Sequence, residues 1–174
     1  MRDMLRRTTA ATLLTLSLVA TGAAASAVVK DGDGGDNKLT GTAGRDVLRG
    51  LAGNDRLFGL AGNDRLVGGP GKDVIKGGKG ADYLAGNFGD DRISSGFDAV
   101  DDTVAAGLGD DIVYISGGDE VFAVDGDDKI FATYPADDMY IDCGDGEDEV
   151  VFNEEPSDAV YVIDCESVSV QSAG

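Results

Sequence analysis

The chain has 174 residues, with 14 Lys and Arg against 33 Asp and Glu, for a formal net charge of −19. It has no His and only two Cys. This excludes His-dependent triads, His-ligated zinc or haem, Cys₄ zinc sites and cysteine-held iron–sulfur clusters. The acidity repels nucleic acid and anionic lipid and attracts cations, and a 42% hydrophobic content argues for folding rather than disorder.

Residues 1–27 read as a secretory signal peptide. Arg2, Arg6 and Arg7 give a basic start, an apolar stretch follows to about Ala20, and Ala25-Ser26-Ala27 is an A-x-A cleavage site. A membrane anchor is the competing reading, but the run is shorter than the roughly 20 residues that span a bilayer. Arg6-Arg7 leaves the general and twin-arginine export routes both open. The expectation is a secreted, extracellular protein with no membrane insertion after cleavage. Charge divides unevenly beyond that point. Residues 28–92 hold ten acids and ten bases, whereas residues 93–174 hold 22 acids and one base, Lys129.

From Gly41 the chain falls into six consecutive nonamers: GTAGRDVLR, GLAGNDRLF, GLAGNDRLV, GGPGKDVIK, GGKGADYLA and GNFGDDRIS. Gly holds positions 1 and 4, and Leu or Ile holds position 8. Position 6 is Asp46, Asp55, Asp64, Asp73, Asp82 and Asp91. A weaker copy at 32–40 has Asn37 in that column. One large aliphatic every nine residues cannot make an amphipathic helix. It suits a three-residue strand with its middle side chain inward, followed by a Gly-rich turn. Two nonamers then make one coil of a parallel β-solenoid, which is stable only through stacking of its neighbours.

In such a coil alternate repeats superpose, so Asp46 lies over Asp64 and Asp55 over Asp73. Carboxylates about 4.8 Å apart repel unless a cation lies between them. Turn carbonyls supply further oxygens, and Ca²⁺ takes six to eight of these in flexible geometry. The competing reading is that each Asp only caps its turn.

These nonamers resemble the RTX, or haemolysin-type, calcium-binding repeats, whose consensus is GGxGxDxUx. The resemblance implies an all-β parallel β-roll with Ca²⁺ between turns on both sides. Its ligands would be Asp46, Asp55, Asp64, Asp73, Asp82 and Asp91. Consensus position 2 is Gly, but here Thr42, Leu51, Leu60 and Asn87 depart from it, which predicts strained turns. Family members exported by the type I route usually lack the N-terminal signal seen here.

The expected organisation is a signal peptide at 1–27, regular repeats at 28–94 and an irregular acidic continuation with a cap at 95–174. In the last part an Asp precedes an apolar residue by two: Asp102/Val104, Asp111/Val113, Asp119/Val121, Asp128/Ile130, Asp138/Tyr140, Asp148/Val150 and Asp158/Val160. Steps between these Asp vary, and the turn glycines thin out. The expectation is a continued coil whose calcium chemistry is mostly lost, with Asp111 and Asp128 the best remaining ligands. Cys143 and Cys165 are 22 residues apart, about one coil, so they predict a disulfide between adjacent rungs. The surrounding residues also resemble the ends of secreted actinobacterial repeat proteins. Asp31-Gly32-Asp33 and Asp125-Gly126-Asp127 look like EF-hand starts but lack the closing Glu.

The leading functional expectation is a non-catalytic calcium-binding roll that folds as Ca²⁺ binds. The alternative is a scaffold or adhesin for a cell-wall or matrix partner. An enzyme is not expected, since no His is present and almost no chain precedes the first repeat.

Overall fold

The computed structural model describes residues 26–136, 138–156 and 159–171. The expected signal peptide lies almost wholly outside the described residues.

The chain winds between two parallel sheets, alternating strand by strand. One sheet holds β1 (Val29–Asp31), β3 (Val47–Arg49), β5 (Arg65–Pro70), β7 (Tyr83–Phe88), β9 (Thr103–Leu108), β11 (Glu120–Asp125), β13 (Tyr140–Asp145) and β15 (Tyr161–Ile163). The other holds β2 (Lys38–Thr40), β4 (Arg56–Ala61), β6 (Val74–Lys79), β8 (Arg92–Ser94), β10 (Ile112–Gly117), β12 (Lys129–Pro135), β14 (Glu149–Phe152) and β16 (Ser167–Val170). Within each sheet, strands follow in chain order and every pair is parallel. The architecture is therefore the expected all-β parallel β-solenoid of nine-residue half-turns, about eight coils long.

Many strands run six residues rather than the expected three. The ladder continues past the inward aliphatic into the first glycines, pairing Leu60 with Gly78 and Gly69 with Asn87. Gly there has no side chain to oppose the sheet above, so pairing persists until the turn.

The position-8 side chains form the core. Leu48, Leu57, Leu66, Ile75, Leu84 and Ile93 are fully buried, and Val104, Val113, Val121, Ile130, Ile141 and Val150 continue the same stack. In the first half the second inward position is Gly. In the second half it becomes Ala106, Ile115, Ala123, Ala132, Cys143 and Phe152, all buried. The core thus widens toward the C-terminal end.

Two of the expected Asp–apolar pairs are out of register. Tyr140 pairs with Glu120, so Met139 and Ile141 are the inward residues of that rung, and Asp138 is exposed. On the next rung Tyr161 pairs with Tyr140, which sets Val160 in the Asp column and Val162 in the core column. Asp158 lies outside the described residues. In both rungs an apolar side chain gains more by facing the core than a carboxylate does.

Cys143 and Cys165 are disulfide-bonded, as expected, with Cα atoms 5.2 Å apart. The bond joins β13 to the segment before β16. Closing a loop of this size contributes about 3 kcal/mol in the chain-entropy model. Reduction should lower the denaturant midpoint accordingly, measured by unfolding with and without a thiol reductant.

Candidate metal centre

The turns stack along two edges. On the first edge, turns pass from an odd-numbered strand to the next even-numbered one; on the second edge they return. Every position-6 Asp begins a strand, and its side chain turns inward rather than to solvent. Asp46, Asp55, Asp64, Asp73, Asp82 and Asp91 are each at most 4% exposed.

One carboxylate oxygen, Oδ1, accepts the backbone N–H of the Asp one coil earlier. Asp46 N–H donates to Asp64, Asp55 to Asp73, Asp64 to Asp82 and Asp73 to Asp91, each at 2.7 Å. The predicted superposition of alternate repeats is thus present, and each of these bonds ties one coil to the next.

The other oxygen decides more. Oδ2 of Asp55, Asp64, Asp73, Asp82, Asp91, Asp111, Asp128 and Asp148 is buried with no hydrogen-bond partner among the described residues. In the regular repeats it points back into its own turn, beside the position-1 glycine. A β-carbon on Gly68 would lie 2.1 Å from the Asp73 Oδ2, so Gly is required there. Desolvation is the main force on these carboxyls. It holds Asp64 above the usual range and pushes Asp73 up to about 6, Asp82 to about 7 and Asp91 to about 8, with carboxylates above and below adding repulsion. A buried anionic oxygen without a donor needs a proton or a cation.

The residues therefore fit a hard cation. Among the described residues no three His, Cys, Asp or Glu side chains converge on one point. An ion would have to take one carboxylate per turn and most other oxygens from the backbone. Such a donor set suits Ca²⁺ better than the strict octahedron of Mg²⁺.

Asp46 differs from the others. Its Oδ2 accepts both the amide and, at 3.1 Å, the hydroxyl of Thr42. Here the departure from Gly at position 2 supplies donors in place of a cation. The other departures are strained as expected: Leu51, Leu60 and Asn87 have φ of 82°, 84° and 80°. Leu51→Gly should raise the thermal midpoint, with a gain of up to about 1 kcal/mol by removing left-handed strain.

In the second half the two edges differ. On the first edge the turns 106–111, 123–128 and 143–148 read AGLGDD, AVDGDD and CGDGED. The distance from the inward residue to the Asp matches that of turns 50–55, 68–73 and 86–91. The Oδ1 ladder continues unbroken, from Asp91 N–H to Asp111, Asp111 to Asp128, Asp128 to Asp148 and Asp148 to Glu166. Burial pushes Asp111 to about 7 and Asp128 to about 6, and raises Asp148. The ladder and the buried, unpartnered Oδ2 are thus retained along this whole edge, with Ala106, Ala123 and Cys143 in place of the position-1 glycine.

Irregularity is confined to the second edge. After Asp82 its turns vary in length, and Asp102, Asp119, Met139 and Val160 begin the following strands. Asp119 Oδ2 accepts the Ser95 hydroxyl at 2.7 Å and the Ser116 amide at 3.0 Å. Built-in donors close that turn without an ion, and at Met139 the carboxylate column ends.

A family model for the RTX calcium-binding nonapeptide repeat matches residues 31–66, 58–93 and 67–100. Residues 31–100 belong to the RTX calcium-binding repeat family. RTX rolls are typically structural or calcium-binding and typically extracellular. No curated protein and no solved structure matches the chain. The RTX match covers the regular nonamers and stops short of Asp111, Asp128 and Asp148, whose turns keep the ladder bond but not the position-1 glycine.

Proposed function

We propose that this RTX protein is a secreted, non-catalytic calcium-binding β-roll that orders as Ca²⁺ fills its turns. The observation that carries this reading is the set of eight buried carboxylate oxygens without hydrogen-bond donors. Without cations, desolvation and mutual repulsion oppose closure of the stacked turns. Bound Ca²⁺ would neutralise them, so binding free energy becomes folding free energy. Asp55, Asp64, Asp73, Asp82 and Asp91 are the principal ligands, with Asp111, Asp128 and Asp148 extending the first edge. Asp46, already satisfied by Thr42, contributes least. The Cys143–Cys165 disulfide supports an oxidising, extracellular setting.

Calcium titration of the chain lacking residues 1–27 tests this, read by calorimetry and circular dichroism. The expected result is a gain of β signal with Ca²⁺, its loss with chelator, and little response to Mg²⁺. One ion per unpartnered oxygen gives a stoichiometry near eight. A value near five confines binding to the regular half. A spectrum indifferent to both Ca²⁺ and chelator overturns the reading.

A further inference from the structure

The outer face of the even-numbered sheet reverses the charge of the protein. Acids outnumber bases 33 to 14 in the chain, yet this face carries Lys38, Arg56, Lys76, Arg92 and Lys129 against one acid, Glu149. Of these five bases only Lys129 is ion-paired to a described residue, Glu149. The outer face of the odd-numbered sheet has no such excess: its two bases, Arg49 and Arg65, stand against three acids, Asp31, Glu120 and Asp142, and Arg49 is paired to Asp31.

The register arranges these bases in a row. Lys38, Arg56, Val74, Arg92, Ile112 and Lys129 follow one another rung by rung. Arg56, Arg92 and Lys129 therefore recur every second rung, a step of about 9.6 Å. Lys76 stands in the adjacent column on the rung between Arg56 and Arg92. Aromatic rings hold several of the cations in place. The Arg92 guanidinium lies 4.6 Å from the Tyr114 ring centre and donates to its hydroxyl at 2.8 Å. Tyr114 stacks on Phe131 at 5.0 Å, with the Lys129 ammonium 5.4 Å from the Phe131 ring. Fixing cations this way lowers the entropy lost when an anion binds.

We propose that this face binds a linear acidic polysaccharide lying along the solenoid axis, with an acid group on alternate sugars. A sugar ring advances an extended polysaccharide by roughly one rung, so alternate-sugar acids meet the two-rung cation step. A nucleic-acid duplex does not fit: the charges of each strand recur about every 3.4 Å along it. The stacked Tyr114 and Phe131 rings also cover each other and offer little free surface for bases.

The test uses the calcium-loaded protein on immobilised hyaluronan, whose carboxylates lie on alternate sugars. Neutral dextran and a single-stranded oligothymidylate serve as comparison surfaces. The variant R56S/K76S/R92S removes three cations from the face, and R45S/R49S/R65S removes the same charge elsewhere. The expected result is salt-sensitive retention on hyaluronan and none on dextran. The first variant should bind roughly tenfold more weakly, as the loss of three exposed charge pairs implies, and the second should bind like the parent. The calcium-induced dichroism of both variants verifies folding, so failure here is distinct from failure of calcium binding. Absence of retention, equal loss in both variants, or equally tight binding to the oligonucleotide overturns the proposal.

Discussion

Asp91→Asn and Asp91→Ala will shift stability in opposite directions when calcium is absent. Asp91 uses its two oxygens differently: Oδ1 holds the Asp73 amide at 2.7 Å, while Oδ2 is buried and unpartnered. Asn keeps the first acceptor and removes the buried negative charge. The calcium-free Asn variant should therefore be more stable than the parent above about pH 8, where Asp91 is ionised. Its calcium response should fall by one ion. Ala removes both oxygens and leaves the buried Asp73 amide without an acceptor, which costs about 1–3 kcal/mol. That variant should be weaker with and without calcium. Denaturant midpoints of both variants, in chelator and in excess Ca²⁺, check the pair. If Asp serves only as a turn cap, Asn should match the parent in both conditions.

Acid should substitute for calcium. The buried carboxyls titrate near 6 at Asp73 and Asp128, near 7 at Asp82 and Asp111, and near 8 at Asp91 and Asp102. Burial is the leading cause at each, and the unfolded value is 3.8. Raised folded values mean the folded state holds protons more tightly than the unfolded state. The stabilisation is fully present below about pH 4 and is lost as pH rises through 6 to 8. In chelator, the β signal should therefore be strongest in acid and decline across that window. In calcium the order reverses, because an ion and a proton compete for the same oxygen. Calcium should be needed most near pH 8, and its binding near pH 6.5 should release protons. Dichroism against pH, with and without chelator, reads the first effect. Calorimetry in buffers of different ionisation enthalpy reads the second. A calcium-free signal that rises from pH 5 to 8 contradicts the assignment of these groups.

Most of the architecture was legible because one column carried it. The Leu or Ile every nine residues, from Leu48 to Ile93, names the core directly, and the Asp two residues earlier follows from it. The second half was harder because the series Asp91, Asp102, Asp111, Asp119, Asp128 mixes two edges. Each coil visits both, so a length change on the second edge disturbs the apparent spacing on both. Within a turn the signal had survived: Ala106 to Asp111, Ala123 to Asp128 and Cys143 to Asp148 each span the same interval, with Gly109, Gly126 and Gly146 two before the Asp. Reading alternate turns separately recovers Asp111, Asp128 and Asp148. Met139 and Val160 were not recoverable this way. In the sequence Asp138 and Asp158 each precede an apolar residue by two, as the column residues do, and only the competition for the core decides between neighbours.

The Oδ1 ladder also has a direction. Each bond runs from the amide of an earlier rung to the carboxylate of the next, from Asn37 to Asp55 and onward to Glu166. A chain appearing amino end first must therefore leave its newest rung open until the following coil arrives. Growth proceeds like a zip whose slider always sits one coil behind the leading end. Shortening from the carboxyl side strands one buried amide on each surviving edge. Shortening from the amino side instead strands carboxylate oxygens, which a cation can take up. The two ends are thus unequal as places to cut, lengthen or fuse the roll. The first-edge ladder ends at Glu166, the residue next to the disulfide-bonded Cys165, where a covalent bond holds the last acceptor in place.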